Sequence, residues 1–407
     1  MYKASFREFF KLEAAGGILL LFAAALAMVL KNSTFGGVYD AFLDMPIQLR
    51  VGALDIDKPL LLWINDGLMA VFFFTIGMEV KREILVGELS DLRQTILPVI
   101  AGLGGIIVPA AVYIMVAGQD PTDLRGWAIP TATDIAFALG ILALAGPAVP
   151  TSLKLFLMTL AIIDDLGAIL IIALLYSNDL SAIFLLVALA AITVLAMLAI
   201  RGEQRLTPYL LAGLVLWLAV LKSGVHATLA GVVLGFFIPL GPRNVEDHDD
   251  SPLRHLIHVL HPWVAFAILP LFAFANAGVI LQGMSVSDVL QGVPLAIVLG
   301  LFIGKQVGVF GFAWLAIKTK CCPLPAQVNW GQLYGVAILT GVGFTMSLFI
   351  ESLAFTDEYV LDVARPYKLG IIAGSLLSAV VGFVVLRIFT PASGGNETDY
   401  DNARSAG

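Results

Sequence analysis

Apolar runs long enough, or nearly long enough, to cross a bilayer alternate with short polar breaks along almost the whole chain. The pattern predicts helical spans near 14–30, 60–80, 95–116, 127–144, 155–176, 181–200, 208–221, 224–240, 263–280, 293–317, 330–353 and 368–389, about twelve in all. The polar remainder is Met1–Lys11, Lys31–Pro59, Gly241–Pro262 and the end of the chain. Residues 1–389 read as one transmembrane domain. Residues 390–407, with their Pro-Ala-Ser-Gly-Gly-Asn-Glu run, read as a disordered tail. The first apolar run follows Lys3, Arg7 and Lys11 and ends in no small-residue cleavage site, so it reads as a retained span rather than a signal peptide. One stretch breaks the helical pattern. Gln48 to Asp57 alternates on either side of Gly52, which predicts a β-hairpin over about 46–58, with an irregular loop as the competing reading. A hairpin has open edges, and a second copy of the chain would cover one.

Composition narrows the class. Of 407 residues, 59% are apolar and 13% charged, and the mean hydropathy is +0.94. An ordinary soluble domain is about 25% charged, so a soluble globular protein is excluded. The net charge of −7 and the lack of a basic stripe exclude a nucleic-acid binder. The only cysteines, Cys321 and Cys322, make neither a disulfide framework nor a four-ligand zinc site. Lys and Arg set the orientation. With both termini in the cytoplasm, 15 of the 23 fall on inside pieces and 7 on outside pieces, and Lys305 remains within the membrane.

The informative residues are ionisable ones inside apolar runs, each costing about 2.5–3.5 kcal/mol at a helix centre. Asp164 and Asp165 sit side by side in mid-span. Helical neighbours point about 100° apart, so one carboxylate can face a cavity while the other reaches a neighbouring helix. Asp134 follows Thr133 in a run where Pro130 disfavours a continuous helix; freed carbonyls and these side chains offer hard oxygen ligands or a helix cap. Lys305, too deep for an easy route to the surface, needs an acidic partner. A second break is expected at Gly341 and Gly343. Two interrupted helices in corresponding positions suggest inverted repeats, near 95–176 and 293–389; close packing by glycine is the competing explanation. Toward the cytoplasm Glu79, Lys81, Arg82 and Glu83 close the second span, while Arg254, His255, His258 and His261 precede the ninth. His258 and His261 share a helical face and titrate near neutrality, although a solvated collar of charge explains them as well. His226 reads as a hydrogen-bonded packing residue.

The segments Phe74–Glu83, Pro130–Gly140, Ala161–Ala168, Leu221–Gly235, His258–Gly278 and Gly341–Ser347 together resemble the NhaA family of bacterial sodium/proton antiporters, over about residues 6–389. The resemblance implies an all-α inner-membrane protein of twelve helices, with crossed, interrupted fourth and eleventh helices and a homodimer formed through the outside hairpin. It implies that Asp165 is the principal sodium ligand, that Asp164 assists it or pairs with Lys305, and that Thr133 and Asp134 line the meeting of the two interrupted helices. It assigns Glu79, Arg82, Glu83, His226, Arg254, His258 and His261 to a cytoplasmic pH-responsive region. Arg254 stands where the family often has Lys, and Ile257 where it often has Glu, so one regulatory carboxylate is missing.

The chemistry asked of such a site is competition between a small cation and protons for the same carboxylates. Competition couples the two flows without ATP, and the chain has no phosphate-binding Gly-Lys-Ser/Thr motif. The residues thus read as a secondary transporter with no cofactor, driven in part by the membrane potential, and the resemblance implies that it moves sodium or lithium against protons. A cation channel and a membrane enzyme using paired aspartates with Mg²⁺ are the alternatives. Converging charges at mid-depth suit an occluded site better than a filter, and no second acidic cluster at metal-ligand spacing occurs in any span.

Overall fold

Lipid offers no hydrogen bonds to the backbone, so an apolar run that crosses it must satisfy its own N–H and C=O groups, which a helix does. The computed structural model describes residues 2–51, 54–87, 92–146, 148–175, 180–241, 251–355 and 366–390. Its helices are α1 (Tyr2–Lys31), α2 (Gly36–Leu43), α3 (Leu60–Val86), α4 (Leu92–Ala117), α5 (Pro121–Thr131), α6 (Ile135–Leu144), α7 (Thr151–Leu175), α8 (Ala182–Ile200), α9 (Leu206–Lys222), α10 (Thr228–Phe237), α11 (Pro252–Asn276), α12 (Gly292–Lys318), α13 (Trp330–Leu339), α14 (Phe344–Ala354) and α15 (Tyr367–Phe389). Among the described residues eight helical stretches are long and apolar enough to span a membrane. The bent pairs α1–α2 (116°) and α5–α6 (43°) bring the number to ten if each is one span, and α9 and α10 are shorter apolar helices.

The hairpin is present. Strands β1 (Pro46–Val51) and β2 (Leu54–Pro59) pair antiparallel with Gln48 opposite Asp57 and Arg50 opposite Asp55. Its tip, residues 52–53, and the tail from residue 391 lie outside the described residues. Three contacts tie it to the helices: Trp63 Nε1–H donates to Ile47 O (3.1 Å), Lys222 Nζ to Asp55 O (2.5 Å), and Lys58 pairs with Asp66 at 2.7 Å.

Two polar segments are more regular than their composition suggests. Residues 252–262, a polar piece left outside the predicted spans, form the first turns of α11. Ser251 caps them by accepting the Arg254 N–H (3.2 Å), Pro252 occupies the first turn, and Leu253, Leu256 and Ile257 are buried beneath the charged face. An amphipathic turn reads as polar when only its mean hydropathy is considered. Residues 2–11 likewise continue α1. Four π-turns widen the long helices: Ile64–Leu68 in α3, Val264–Ile268 in α11, and Gly300–Gly304 and Gln306–Phe310 on either side of Lys305 in α12. The α13–α14 stretch is 94% buried, which places the second break at the centre of the packing.

Candidate functional site

Pro130 lacks an N–H and cannot continue a regular helix, so α5 tightens into a 3₁₀ stretch over Arg125–Thr131 and ends. Ala132 is extended, and Asp134 becomes the N-cap of α6, its Oδ1 accepting the Phe137 N–H at 3.0 Å. On the other side α13 stops at Leu339 and α14 begins at Phe344. A side chain on Gly341 would run into the Leu301 carbonyl, so only glycine allows this close approach.

The two breaks meet and complete one another. The Asp134 N–H donates to Val342 O at 2.7 Å. Asp134 Oδ2 accepts the Thr345 N–H (3.0 Å) and its hydroxyl (2.5 Å), so one carboxylate caps the N-termini of both α6 and α14. Negative charge there opposes the positive ends of two helix dipoles. The Thr133 hydroxyl lies 2.8 Å from Thr340 O and 2.7 Å from Asp164 Oδ2. It carries one hydrogen, so it serves one acceptor at a time unless Asp164 itself brings a proton.

Asp164 and Asp165 are both 1% exposed, yet their surroundings differ. Asp164 Oδ2 accepts from Lys305 Nζ at 2.5 Å, and both side chains of this pair are fully buried. Gly102 and Gly105 of α4 clear the space above it: a Cβ on Gly105 would stand 3.5 Å from Lys305 Nζ and 3.7 Å from Asp164 Oδ1. Neither oxygen of Asp165 has a hydrogen-bond partner, and Asp164 Oδ1 is likewise unpartnered. These three bare oxygens and the nearby carbonyls are hard ligands of the kind a small cation takes. Among the described residues no cluster of three or more His, Cys, Asp or Glu could hold a metal ion.

A second polar group lies nearer the far end of α3. Glu79 Oε1 stands 3.9 Å from His261 Nδ1, and Arg82 pairs with Glu83 at 2.7 Å. A cavity of about 60 Å³ opens among Thr75, Glu79, Arg82, Ile135, Met158 and His261, reaching the residue after Asp134. Arg254 and the exposed His258 lie one to two turns earlier on α11. Ile257 is buried in the apolar cluster containing Phe74 and Met78. His226 is not part of this group. It lies between α9 and α10, where its charged neighbours are Asp66 and Lys58 at the hairpin end, 13 residues along α3 from Glu79. Its grouping with the other six is corrected on that ground: a span separates them.

Thr345 lies within the Gly341–Ser347 segment, yet its bond to Asp134 is not visible in that motif, and neither is the pairing of Asn65 with Asn276 in the apolar pattern. For Thr345 a signal existed: a hydroxyl in the first turn of a half-helix whose N–H groups need an acceptor.

With this geometry in place, the similarities are specific. A family profile described as Na+/H+ antiporter 1 matches residues 7–386. The chain belongs to this family. It is 57% identical over 386 residues to the Na(+)/H(+) antiporter NhaA of Pseudomonas putida strain GB-1, covering 94% of this chain and 97% of that relative. It is 59% identical over 384 residues to Na(+)/H(+) antiporter NhaA 1 of Klebsiella pneumoniae (94% and 95%), and 56% identical over 384 residues to the NhaA of Rhodospirillum rubrum (94% and 96%). Antiporters are transporters, so this mostly helical membrane protein is a transporter and not an enzyme.

Proposed function

We propose that this antiporter-family protein exports sodium, and lithium as a close analogue, in exchange for protons by alternating access, without a cofactor. One observation carries the reading: Asp165 presents two buried, unpartnered oxygens directly beside the Asp164–Lys305 pair. A dehydrated cation and protons compete for those oxygens, and mutual exclusion couples their flows. Thr133, Asp134 and the Thr340 carbonyl complete the site. With Asp164 protonated, Asp164 donates to Thr133 and Thr133 to Thr340 O. With Asp164 ionised, the one Thr133 hydrogen cannot serve both oxygens, and the one left over is available to sodium. Asp165 and the Asp164–Lys305 pair together offer two proton carriers per cation, so net charge moves and the membrane potential helps drive sodium out. The cavity at Glu79, Arg82 and His261 is the cytoplasmic entrance. Glu83, Arg254 and His258 near it form a pH-responsive rim, Pro130, Gly341 and Gly343 keep the central helices interrupted, and His226 acts from the opposite side. The protein sits in the bacterial inner membrane with both termini cytoplasmic.

The test is the pH change in proteoliposomes on adding sodium or lithium, with potassium as control. Sodium should release protons from the wild type, and Asp165→Asn should abolish the release while the protein still inserts. Near-normal release from Asp165→Asn would sink the assignment. The hairpin is the contact between two protomers in this reading. Deleting Leu49–Asp57 should give monomers in detergent that still exchange ions, and a persistent dimer would place the contact elsewhere.

A further inference from the structure

Helices α3 and α11 touch at both ends in chemically different ways. At the hairpin end Asn276, the last residue of α11, faces Asn65 in the π-turn of α3. The two amides bond reciprocally: Asn65 Nδ2 donates to Asn276 Oδ1 at 3.2 Å, and Asn276 Nδ2 donates to Asn65 Oδ1 at 2.9 Å. Asn276 Nδ2 also donates to Phe272 O at 2.9 Å, which fixes the orientation, since a flipped amide would set oxygen against oxygen. Both side chains are buried, 6% and 3% exposed. A buried polar pair of this kind specifies one register between two helices, because any axial slip leaves several amide groups unsatisfied. The surroundings brace the joint. The Tyr39 hydroxyl donates to Phe274 O (2.6 Å) beside Asn276, and Lys58 and the Trp217 indole hold the residue after Asn65.

At the other end, 14 residues along α3 and 15 along α11, stand Glu79 and His261 with the cavity beside them. That is roughly 20 Å away at 1.5 Å per residue. Neither asparagine titrates, so a change of pH does not alter the donors and acceptors of this pair itself.

We propose that the reciprocal Asn65–Asn276 amide pair is a fixed joint that makes α3 and α11 one rigid wall, so that the cavity opens and closes by movement of that wall against α6 and α7 rather than by parting of α3 from α11. Asn65 and Asn276 are then positioning residues: they set the height at which His261 meets Glu79 and so the shape of the entrance. The inference rests on the exchange reading, which the wild-type protein tests by itself in the same vesicles.

The experiment uses the full chain with Cys321 and Cys322 replaced by alanine, reconstituted in liposomes. Asn65→Cys with Asn276→Cys is measured before and after bridging by a short thiol-specific cross-linker, beside Asn65→Ala with Asn276→Ala. The alanine pair should raise the sodium KM at least threefold with the maximal rate within twofold, because the entrance is displaced while the carboxylates are untouched. Bridging the cysteine pair should return the KM to the wild-type value with exchange intact, whereas bridging Thr75→Cys to Met158→Cys, across the two walls, should stop exchange. Loss of exchange on bridging residues 65 and 276 would overturn the proposal, because the two helices would then have to part there. So would a wild-type KM in the alanine pair. If the alanine pair does not fold, the bridged cysteine pair alone decides between a fixed joint and a moving contact.

Discussion

The interruption between α5 and α6 is made by Pro130 and carries a charge, Asp134. The one between α13 and α14 is made by Gly341 and Gly343 and carries none. Each is incomplete alone. The first supplies an acceptor for two helix N-termini, while the second supplies the Val342 and Thr340 carbonyls that the first one's N–H and hydroxyl need. In lipid an unpaired backbone group costs several kcal/mol, so neither break is stable except against the other. Irregular backbone at this depth persists because it is paired, and pairing brings Asp164, Asp165 and Lys305 to one place. Two neutral breaks would satisfy their hydrogen bonds without placing a buried carboxylate, Asp134, between two helix N-termini.

The severest way to break the arrangement is to strip the charge beneath the meeting point. Lys305→Ala leaves the buried Asp164 carboxylate uncompensated, and for buried pairs such a change typically costs about 3–5 kcal/mol. The thermal midpoint in detergent should fall markedly. Asp164→Asn with Lys305→Gln should recover much of the loss, since neither charge is then buried alone. Strictly additive losses in this cycle would show that the 2.5 Å pair contributes no coupling. Next is the shared cap. Asp134→Ala removes the acceptor for the Phe137 N–H, the Thr345 N–H and the Thr345 hydroxyl together, a loss on the order of 3 kcal/mol. Thr345→Val should cost only about 1 kcal/mol, because its N–H keeps the carboxylate. Equal losses for the two variants would mean that Asp134 caps one helix and not both. The smallest effect belongs to a group remote from either break. Burial depresses the pKa of His226 below its ordinary 6.5, chiefly by desolvation, with Asp66 opposing and Lys58 adding to the shift. A depressed folded-state value means that the unfolded chain takes up the proton first, so this contribution is present above pH 6.5 and is lost as the pH falls through the folded value. His226→Gln should flatten the fall of the melting temperature below pH 6.5 and leave neutral-pH exchange unchanged. An unaltered slope would assign that fall to other groups.

Sequence alone determined that the chain lives in lipid, where most spans lie, where two helices could be interrupted, and which charges sit too deep to be accidental. Those facts follow from local rules: a bilayer requires apolar runs, proline and paired glycines break helices, and a charge at mid-depth needs a reason to be there. The hairpin was legible through its alternation about Gly52, and the partner of Lys305 came only with the family resemblance. Tertiary structure decided the rest. Asp134 meets Thr345, and Asn65 meets Asn276, each across 211 residues of chain, and no periodicity predicts the axial register that joins them. The start of α11 at Pro252 depended on the apolar cluster that receives Leu253, Leu256 and Ile257. The resemblance groups His226 with the Glu79 end, whereas its charged neighbours are Asp66 and Lys58 at the hairpin end, and no local pattern in a sequence gives a side chain's height in the membrane. Adjacent in sequence and alike in burial, Asp164 and Asp165 were separated only by packing: a lysine 141 residues away reaches the first, and no hydrogen-bond donor reaches the second. Hydrophobicity specifies which segments enter the membrane, but the pairing of their polar groups depends on how whole helices rest against one another.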